Sequence, residues 1–257
     1  MIFTLVGTLL IAVAVTREGL ARKWSTRKMA LVSFGAGALF AIFGTWFDAL
    51  AAELPIEKLR ASTVHLSNGS GSVVVGKSGR LYILTNWHVC LGAQWKHQII
   101  AFYPNGETIQ GMVVKVSPTK DLCAAVLKED RPGLKMAPRL QPYQDIWTRG
   151  YPEHILAETH GNVGGTVQWS AGFPIQEIGE CPEGYGKDRD YEGRVQGCTY
   201  TFTSQLSTLY ARPGSSGSPV VDSEGRLVGV VSSWHSRGDY EAGMVTFRDV
   251  KSFLDGL

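Results

Sequence analysis

Two blocks of almost uninterrupted apolar residues, Met1 to Val15 and Met29 to Phe47, open the chain, with the polar segment Thr16 to Lys28 between them. From Ala61 onward the pattern changes to short runs of β-branched and aromatic residues broken by Gly, Pro, Asn and Ser, which is a strand signature. These runs predict strands at Thr63–Leu66, Gly71–Gly76, Leu81–Thr85, Gln98–Tyr103, Thr108–Val116 and Leu122–Lys128. A second set is predicted at Ile146–Gly150, Gly165–Trp169, Thr199–Thr203, Pro219–Val221, Leu227–Ser232 and Gly243–Phe247. Lys77-Ser78-Gly79, Asn105-Gly106 and Ser223-Glu224-Gly225 read as hairpin turns. Helical spacing returns at Asp249–Leu257, where Val250, Phe253 and Leu254 share one face. The pattern is all-β with a short C-terminal helix. About twelve short strands without internal repeats suit two Greek-key six-stranded β-barrels, with the strand-poor stretch 131–142 as the link between barrel 1 (61–130) and barrel 2 (143–247).

The apolar blocks change the picture from a plain β protein to a tethered one. About 20 apolar residues span a bilayer as a helix, so the second block is close to full length and the first is short. Arg17, Arg22, Lys23, Arg27 and Lys28, against Glu18 alone, make the intervening segment basic, which puts it in the cytoplasm and everything after Asp48 outside. The two blocks form a helical hairpin, or the second is the h-region of a signal sequence with Ala49-Leu50-Ala51 as a small-x-small site. Either way, residues 1–51 are expected to be hydrophobic membrane helices preceding an extracytoplasmic domain at 52–257.

Composition adds exclusions. The chain has 257 residues, 44% of them hydrophobic, enough for a substantial core, and a net charge of +2. No dense Lys/Arg patch with interleaved aromatics occurs in the body of the chain, so no nucleic-acid partner is expected. The four cysteines form no C-x-x-C pair and have no His at metal-ligand spacing, so neither a metal nor a cofactor is expected. An even count fits disulfides in an exported domain and free thiols in a cytoplasmic one. Cys181 and Cys198 bracket a polar, Gly-rich stretch that a bridge would close. Cys90 and Cys123 can bridge only if two strands distant in sequence meet.

Candidate chemistry begins with Arg212-Pro213-Gly214-Ser215-Ser216-Gly217-Ser218-Pro219-Val220. A serine between glycines, entered through Pro-Gly and followed by a strand, can present a hydroxyl together with backbone N–H groups. An ordinary Gly/Ser turn would look the same. His88 in Leu84-Thr85-Asn86-Trp87-His88-Val89-Cys90 follows an apolar strand, and Asp121 opens another. Each alone is an unremarkable strand-end or turn residue. Together, in the order His, Asp, Ser, they match the arrangement of one serine-protease class and no other common one.

On these phrases, with Gly71-Ser72-Val73-Val74-Val75, Gly150-Tyr151-Pro152 and Gly225-Arg226-Leu227-Val228-Gly229-Val230-Val231, the chain from about Ser62 to Leu257 resembles the chymotrypsin-fold serine proteases. It is most similar to the bacterial trypsin-like branch that includes the high-temperature-requirement proteases. The resemblance implies a serine endopeptidase acting on protein or peptide substrates, with His88, Asp121 and Ser216 as triad and the N–H groups of Gly214 and Ser216 as oxyanion hole. It also implies a primary pocket shaped by Tyr210, Val231 and the Ser233-Trp234 region. Of Ser232 and Ser233, either of which matches, Ser232 is taken as the serine that in the family supports the catalytic Asp and opens the strand pairing with substrate. None of these pocket residues is acidic, so the resemblance points to a small or medium apolar target residue.

Three departures qualify the resemblance. Cys90 lies one position later than the cysteine of the animal enzymes. No basic activation site precedes an Ile/Val-Val-Gly-Gly sequence, and the chain is expected to carry no PDZ module after its terminal helix. A catalytically silent binding module on the same fold, and a viral or phage polyprotein protease held at a membrane, are the competing readings.

Overall fold

The computed structural model describes residues 55–94, 97–174, 180–181, 185–237 and 240–257. They lie within one compact unit, Leu54–Leu257. The apolar blocks of residues 1–51, expected to be membrane helices, fall outside the described residues. Among the described residues no helix is long and apolar enough to cross a membrane.

A helix at 55–62 (α1) leads into barrel 1, made of β1 (Thr63–Leu66), β2 (Gly69–Val75), β3 (Leu81–Thr85), β4 (Gln98–Phe102), β5 (Thr108–Ser117) and β6 (Leu122–Leu127). The strands close in the order β1-β2-β3-β6-β5-β4. Alternation drives the closure: β4 buries Ile99 and Ala101 and exposes Gln98, Ile100 and Phe102. The inward residues, with Val64, Val73, Ile83, Ile109 and Ala125, fill the barrel.

Barrel 2 uses β7 (Asp145–Gly150), β8 (Ala157–Pro174), β10 (Val195–Ser207), β11 (Pro219–Val221), β12 (Leu227–Arg237) and β13 (Tyr240–Val245). The ring runs β7-β8-β10-β13-β12-β11 and back to β7. Counted from the first strand of each barrel, both follow the same order, 1-2-3-6-5-4. A further strand, β9 (Gly186–Arg189), pairs with β10 outside the ring. The core holds Ile146, Val163, Leu209, Val220, Val228, Val231 and Met244. The C-terminal helix, α3 (Phe247–Leu254), starts two residues earlier than its spacing implied, because the Thr246 hydroxyl caps it by accepting from the Asp249 N–H at 3.2 Å.

Several elements exceed or escape the pattern in the sequence. β8 and β10 extend far beyond Gly165–Trp169 and Thr199–Thr203, running side by side from Val163↔Ser207 to Pro174↔Gly197. β9 is exposed at all four positions, so no alternation marks it. A short helix, α2 (Trp87–Gln94), carries His88 where only a strand end was expected.

The barrels share a third core between them, formed by Val74, Tyr82, Leu84 and Leu122 of barrel 1 and Val221, Leu227, Val230 and Val245 of barrel 2. Leu59 of α1 and Val250, Phe253 and Leu254 of α3 complete it. The expected linker threads this interface as extended chain. The Leu134 N–H donates to the Val73 carbonyl and its own carbonyl accepts from Val75. Three residues on, the Ala137 N–H donates to the Leu227 carbonyl, whose N–H in turn donates to Lys135. Each barrel is thus hydrogen-bonded to the same short stretch, and Leu134 is buried against both.

Both cysteine pairs are joined, Cys90 to Cys123 and Cys181 to Cys198. The distant strands do meet: β3 pairs with β6 so that Thr85 faces Cys123, which brings the start of α2 against β6.

Candidate active site

His88 lies in the first turn of α2, immediately beyond β3, and Asp121 ends a 3-10 turn, Pro118–Lys120, immediately before β6. Because β3 and β6 are paired neighbours, the two residues emerge at the same barrel end. Asp121 adopts the left-handed conformation (φ 52°), which Asp tolerates better than most residues, and its N–H closes the turn onto the Pro118 carbonyl. Its carboxylate is buried and accepts from the His88 backbone N–H at 3.2 Å. It also accepts from His88 Nδ1, at 2.9 and 3.0 Å from its two oxygens. A carboxylate that is ionised can only accept, so Nδ1 carries the proton and Nε2 of neutral His88 is unprotonated. Burial opposes a charge on the ring, but the Asp121 charge and hydrogen bond outweigh it and raise the His88 pKa above its ordinary value.

The pair is clamped on both sides. Asn86 Nδ2 donates to the Asp121 carbonyl at 2.9 Å. Cys90 and Cys123, each two residues beyond a member of the pair, are bonded to one another. Trp87 packs against Tyr185, with ring centroids 5.5 Å apart, in a cluster with Cys198 and Phe202, so the Cys181–Cys198 loop reaches the helix that bears His88. Burial, and then the Asp121 charge, push the Tyr185 phenol pKa upward. Nothing in the sequence marks Tyr185, whose position depends on the fold of that loop.

Ser216 comes from the loop between β10 and β11. Gly214 (φ +94°) and Gly217 (φ +88°) flank it in the left-handed region, and neither can carry a side chain. A Cβ on Gly214 would collide with the Tyr151 carbonyl, and one on Gly217 with the Ser70 carbonyl and the Thr85 hydroxyl. Barrel 1 touches this loop at Gly69, where a Cβ would lie 2.8 Å from the Ser216 carbonyl and 3.0 Å from the side chain of Val89, the residue after His88. The structure therefore brings the backbone of Ser216 and the start of α2 to one point.

The loop's peptide planes are fixed through their carbonyls. The Pro213 carbonyl accepts from Glu153 N–H at 2.6 Å, and the Ser215 carbonyl from Ser218 N–H at 3.0 Å. In a trans peptide the N–H points opposite to the C=O, so the N–H groups of Gly214 and Ser216 are turned away from those partners. The N–H groups of Ser215, Gly217 and Ser218 donate to backbone carbonyls, whereas those of Gly214 and Ser216 have no acceptor among the described residues. Glu153 and His154 both hold positive φ in the loop that supplies this support, and His154 Nδ1 lies 3.2 Å from His65 Nε2.

Beside Ser216 opens a cavity of about 240 Å³ lined by Ala211, Arg212, Pro213, Ser215, Ser216, Val231, Ser232 and Ser233. Val231 and Ser233 are expected pocket residues, and Ser232 between them lines it too. Tyr210 does not line it, and its ring instead lies 4.5 Å from the Arg212 guanidinium. Trp234 lies in β12 opposite Ala242. Ser232 Oγ donates to the Gly243 carbonyl at 3.3 Å rather than to Asp121, because β12 holds it against β13. Ala211 and Arg212 also line it, neither of which was given a pocket role from the sequence.

With this geometry in hand, comparisons locate the chain among known proteins. A family model described as a trypsin-like peptidase domain matches residues 69–230, a range that contains His88, Asp121 and Ser216. No curated protein matches the sequence. Among solved structures, the inactive form of the Rv3671c protease aligns with TM-score 0.56 and 20% identity over 81% of this chain and 94% of that one. The active form of the M. tuberculosis Rv3671c protease gives 0.57 and 21% over 80% and 85%. A serine-to-alanine form of the HtrA-type protease AlgW with a tripeptide gives 0.54 and 16% over 78% and 61%. At such identities the likeness is one of fold, and the fold is that of the chymotrypsin-like proteases.

Proposed function

Because the chain belongs to the trypsin-like peptidase domain family, we propose that it is a serine endopeptidase that cleaves peptide bonds through an acyl-enzyme. Ser216 Oγ attacks the scissile carbonyl while His88 Nε2 takes its proton and later returns it to the leaving amine. Asp121 keeps Nδ1 protonated and stabilises the imidazolium. The N–H groups of Gly214 and Ser216 receive the oxyanion, worth about 3–4 kcal/mol for a donor in comparable sites. The observation that carries this reading is the pairing of a His88 tautomer set by Asp121 with two N–H groups that have no acceptor among the described residues.

The cavity beside Ser216 supports a preference for small or medium apolar residues. Among the described residues no carboxylate lines it. The basic segment between the apolar blocks supports a protease domain held at a membrane through residues 1–51 and facing away from the cytoplasm.

Activity is tested by treating the full chain with a fluorophosphonate probe beside Ser216→Ala and His88→Ala. Labelling of the parent at Ser216 is expected. A folded but unlabelled parent overturns the activity, and labelling at another serine overturns the assignment. Cleavage-site sequencing of a peptide library tests specificity, where a Lys or Arg preference would contradict the pocket reading. Protease digestion of intact cells tests topology, where a shielded domain would contradict the orientation.

A further inference from the structure

Ser70, the second residue of β2 in barrel 1, is fully buried, yet three of its four polar functions meet the barrel 2 side of the site. Its N–H donates to the Ser216 carbonyl at 2.7 Å. Its Oγ donates to the Gly214 carbonyl at 2.8 Å and accepts from the Tyr151 N–H at 2.9 Å. Its carbonyl accepts from Thr85 Oγ1 at 2.7 Å. The hydroxyl has no choice of direction: a backbone N–H can only donate and a carbonyl can only accept, so its proton must point at Gly214.

The peptide between Gly214 and Ser215 sits between the two planes whose N–H groups lack acceptors. Its N–H donates to the Arg212 carbonyl at 2.9 Å, and its carbonyl is the group that Ser70 holds. If this plane turned, the torsions on both sides would change and carry the neighbouring N–H groups with them. Gly214 offers no resistance of its own. Close approach of the Tyr151 carbonyl excludes a side chain there, and a residue without Cβ rotates with little steric cost. The Arg212 carbonyl holds the N–H side of this plane from within the loop, and the restraint on its carbonyl side comes from outside, from Ser70.

From this we infer that Ser70 is a positioning residue, a barrel 1 hydroxyl that holds the middle peptide of the barrel 2 loop so that the N–H groups of Gly214 and Ser216 converge on one oxyanion. The inference rests on the peptidase reading given above. The strand supplies its own control. Ser72, two residues on, is equally buried, and its Oγ has no partner among the described residues.

The test uses full-length Ser70→Ala, Ser70→Cys and Ser72→Ala, with peptide-substrate kinetics, affinity for a peptide boronic acid that forms a tetrahedral adduct, and thermal unfolding. Ser70→Ala is expected to lower kcat by about 10- to 100-fold with KM held within about twofold, and to weaken the boronic acid by the same factor. Ser70→Cys, with a weaker donor of similar shape, is expected to fall between it and the parent. Ser72→Ala should stay within about twofold of the parent in both kinetic readouts. The inference is overturned if Ser70→Ala keeps the parental kcat while only its unfolding temperature drops, or if Ser72→Ala loses as much. If Ser70→Ala does not fold, Ser70→Cys decides, and parental boronic-acid affinity in that variant overturns the inference. A folded parent that fails to react with a fluorophosphonate overturns the peptidase reading itself, and Ser70's role with it. A reactive parent with undiminished Ser70 variants overturns Ser70 alone.

Discussion

Barrel 1 brings an imidazole and a carboxylate to the site, anchored where β3 ends beside the start of β6, whereas barrel 2 brings the Ser216 hydroxyl on a run of backbone amides in the loop ahead of β11. The strand order is the same in both, so the difference lies in what each barrel rim carries. On one rim a buried carboxylate and an imidazole are positioned by hydrogen bonds and by a disulfide. On the other, glycines let the chain pass so close to Tyr151 and Ser70 that orientation depends on backbone contacts. The first half should answer to charge and pH, and the second to added volume.

The largest effect is expected from Asp121→Asn. Asparagine tolerates the left-handed conformation at this position, so the backbone is kept while the carboxamide can donate to His88 Nδ1 and move the ring proton to Nε2. A fall in kcat of about 10⁴-fold is expected, by analogy with the same change in a comparable triad. An effect below tenfold would break the side-chain half of the comparison.

Gly217→Ala should come next, as the matching lesion on the backbone half. The added carbon meets the Ser70 carbonyl and the Thr85 hydroxyl, both buried. Fluorophosphonate labelling should slow by about 10²- to 10³-fold as the oxyanion amides shift, and urea unfolding should show a loss of about 1–3 kcal/mol from the strained conformation. Its pH profile should nevertheless match the parent's.

The pH dependence sharpens the same contrast. As the proposed general base, His88 would work only when neutral, so kcat/KM should fall about tenfold per unit once the pH drops below its folded pKa, which lies above the ordinary 6.5. Stability has the opposite sign. The folded pKa is raised, so the charged pair's contribution is fully present below the unfolded value and lost as pH rises through the folded one. Asp121→Asn should move the activity limb downward, and an unmoved limb would assign it to another group.

The smallest effect on catalysis is expected from removing the Cys90–Cys123 bridge as Cys90→Ala with Cys123→Ala. Stability should fall by about 3–4 kcal/mol on the loop-entropy model. Activity of the remaining folded protein should fall by about tenfold or less, since Asn86 and the helix backbone still hold the pair. A larger loss would make the disulfide, rather than the hydrogen bonds, the main support of His88.

The sequence made these halves legible to different degrees. β1, β3 and β11 are readable to the residue, because each is a short, almost wholly buried run bounded by turn or loop residues. The outer ribbon of β8, β9 and β10 is not, since strands such as β9 are exposed along their length and leave no period to read. At eight residues α2 is too short for its periodicity to stand out. His88, Asp121 and Ser216 are conspicuous in the sequence as a combination of three local phrases. Ser70, Glu153 and Tyr185 act through contacts remote in sequence. Ser70 meets Gly214 across 144 positions, and no local pattern of residues encodes that meeting.

The extended linker has a consequence for how the molecule comes apart. Around Leu134 and Met136 it forms bridges to Val74 on one side and Leu227 on the other, joining two closed barrels through a shared backbone ladder. A ladder of that kind leaves no compliant hinge at the seam. Calorimetry should find a single cooperative melt rather than two, and nicking the chain near Leu134 should unravel both halves together.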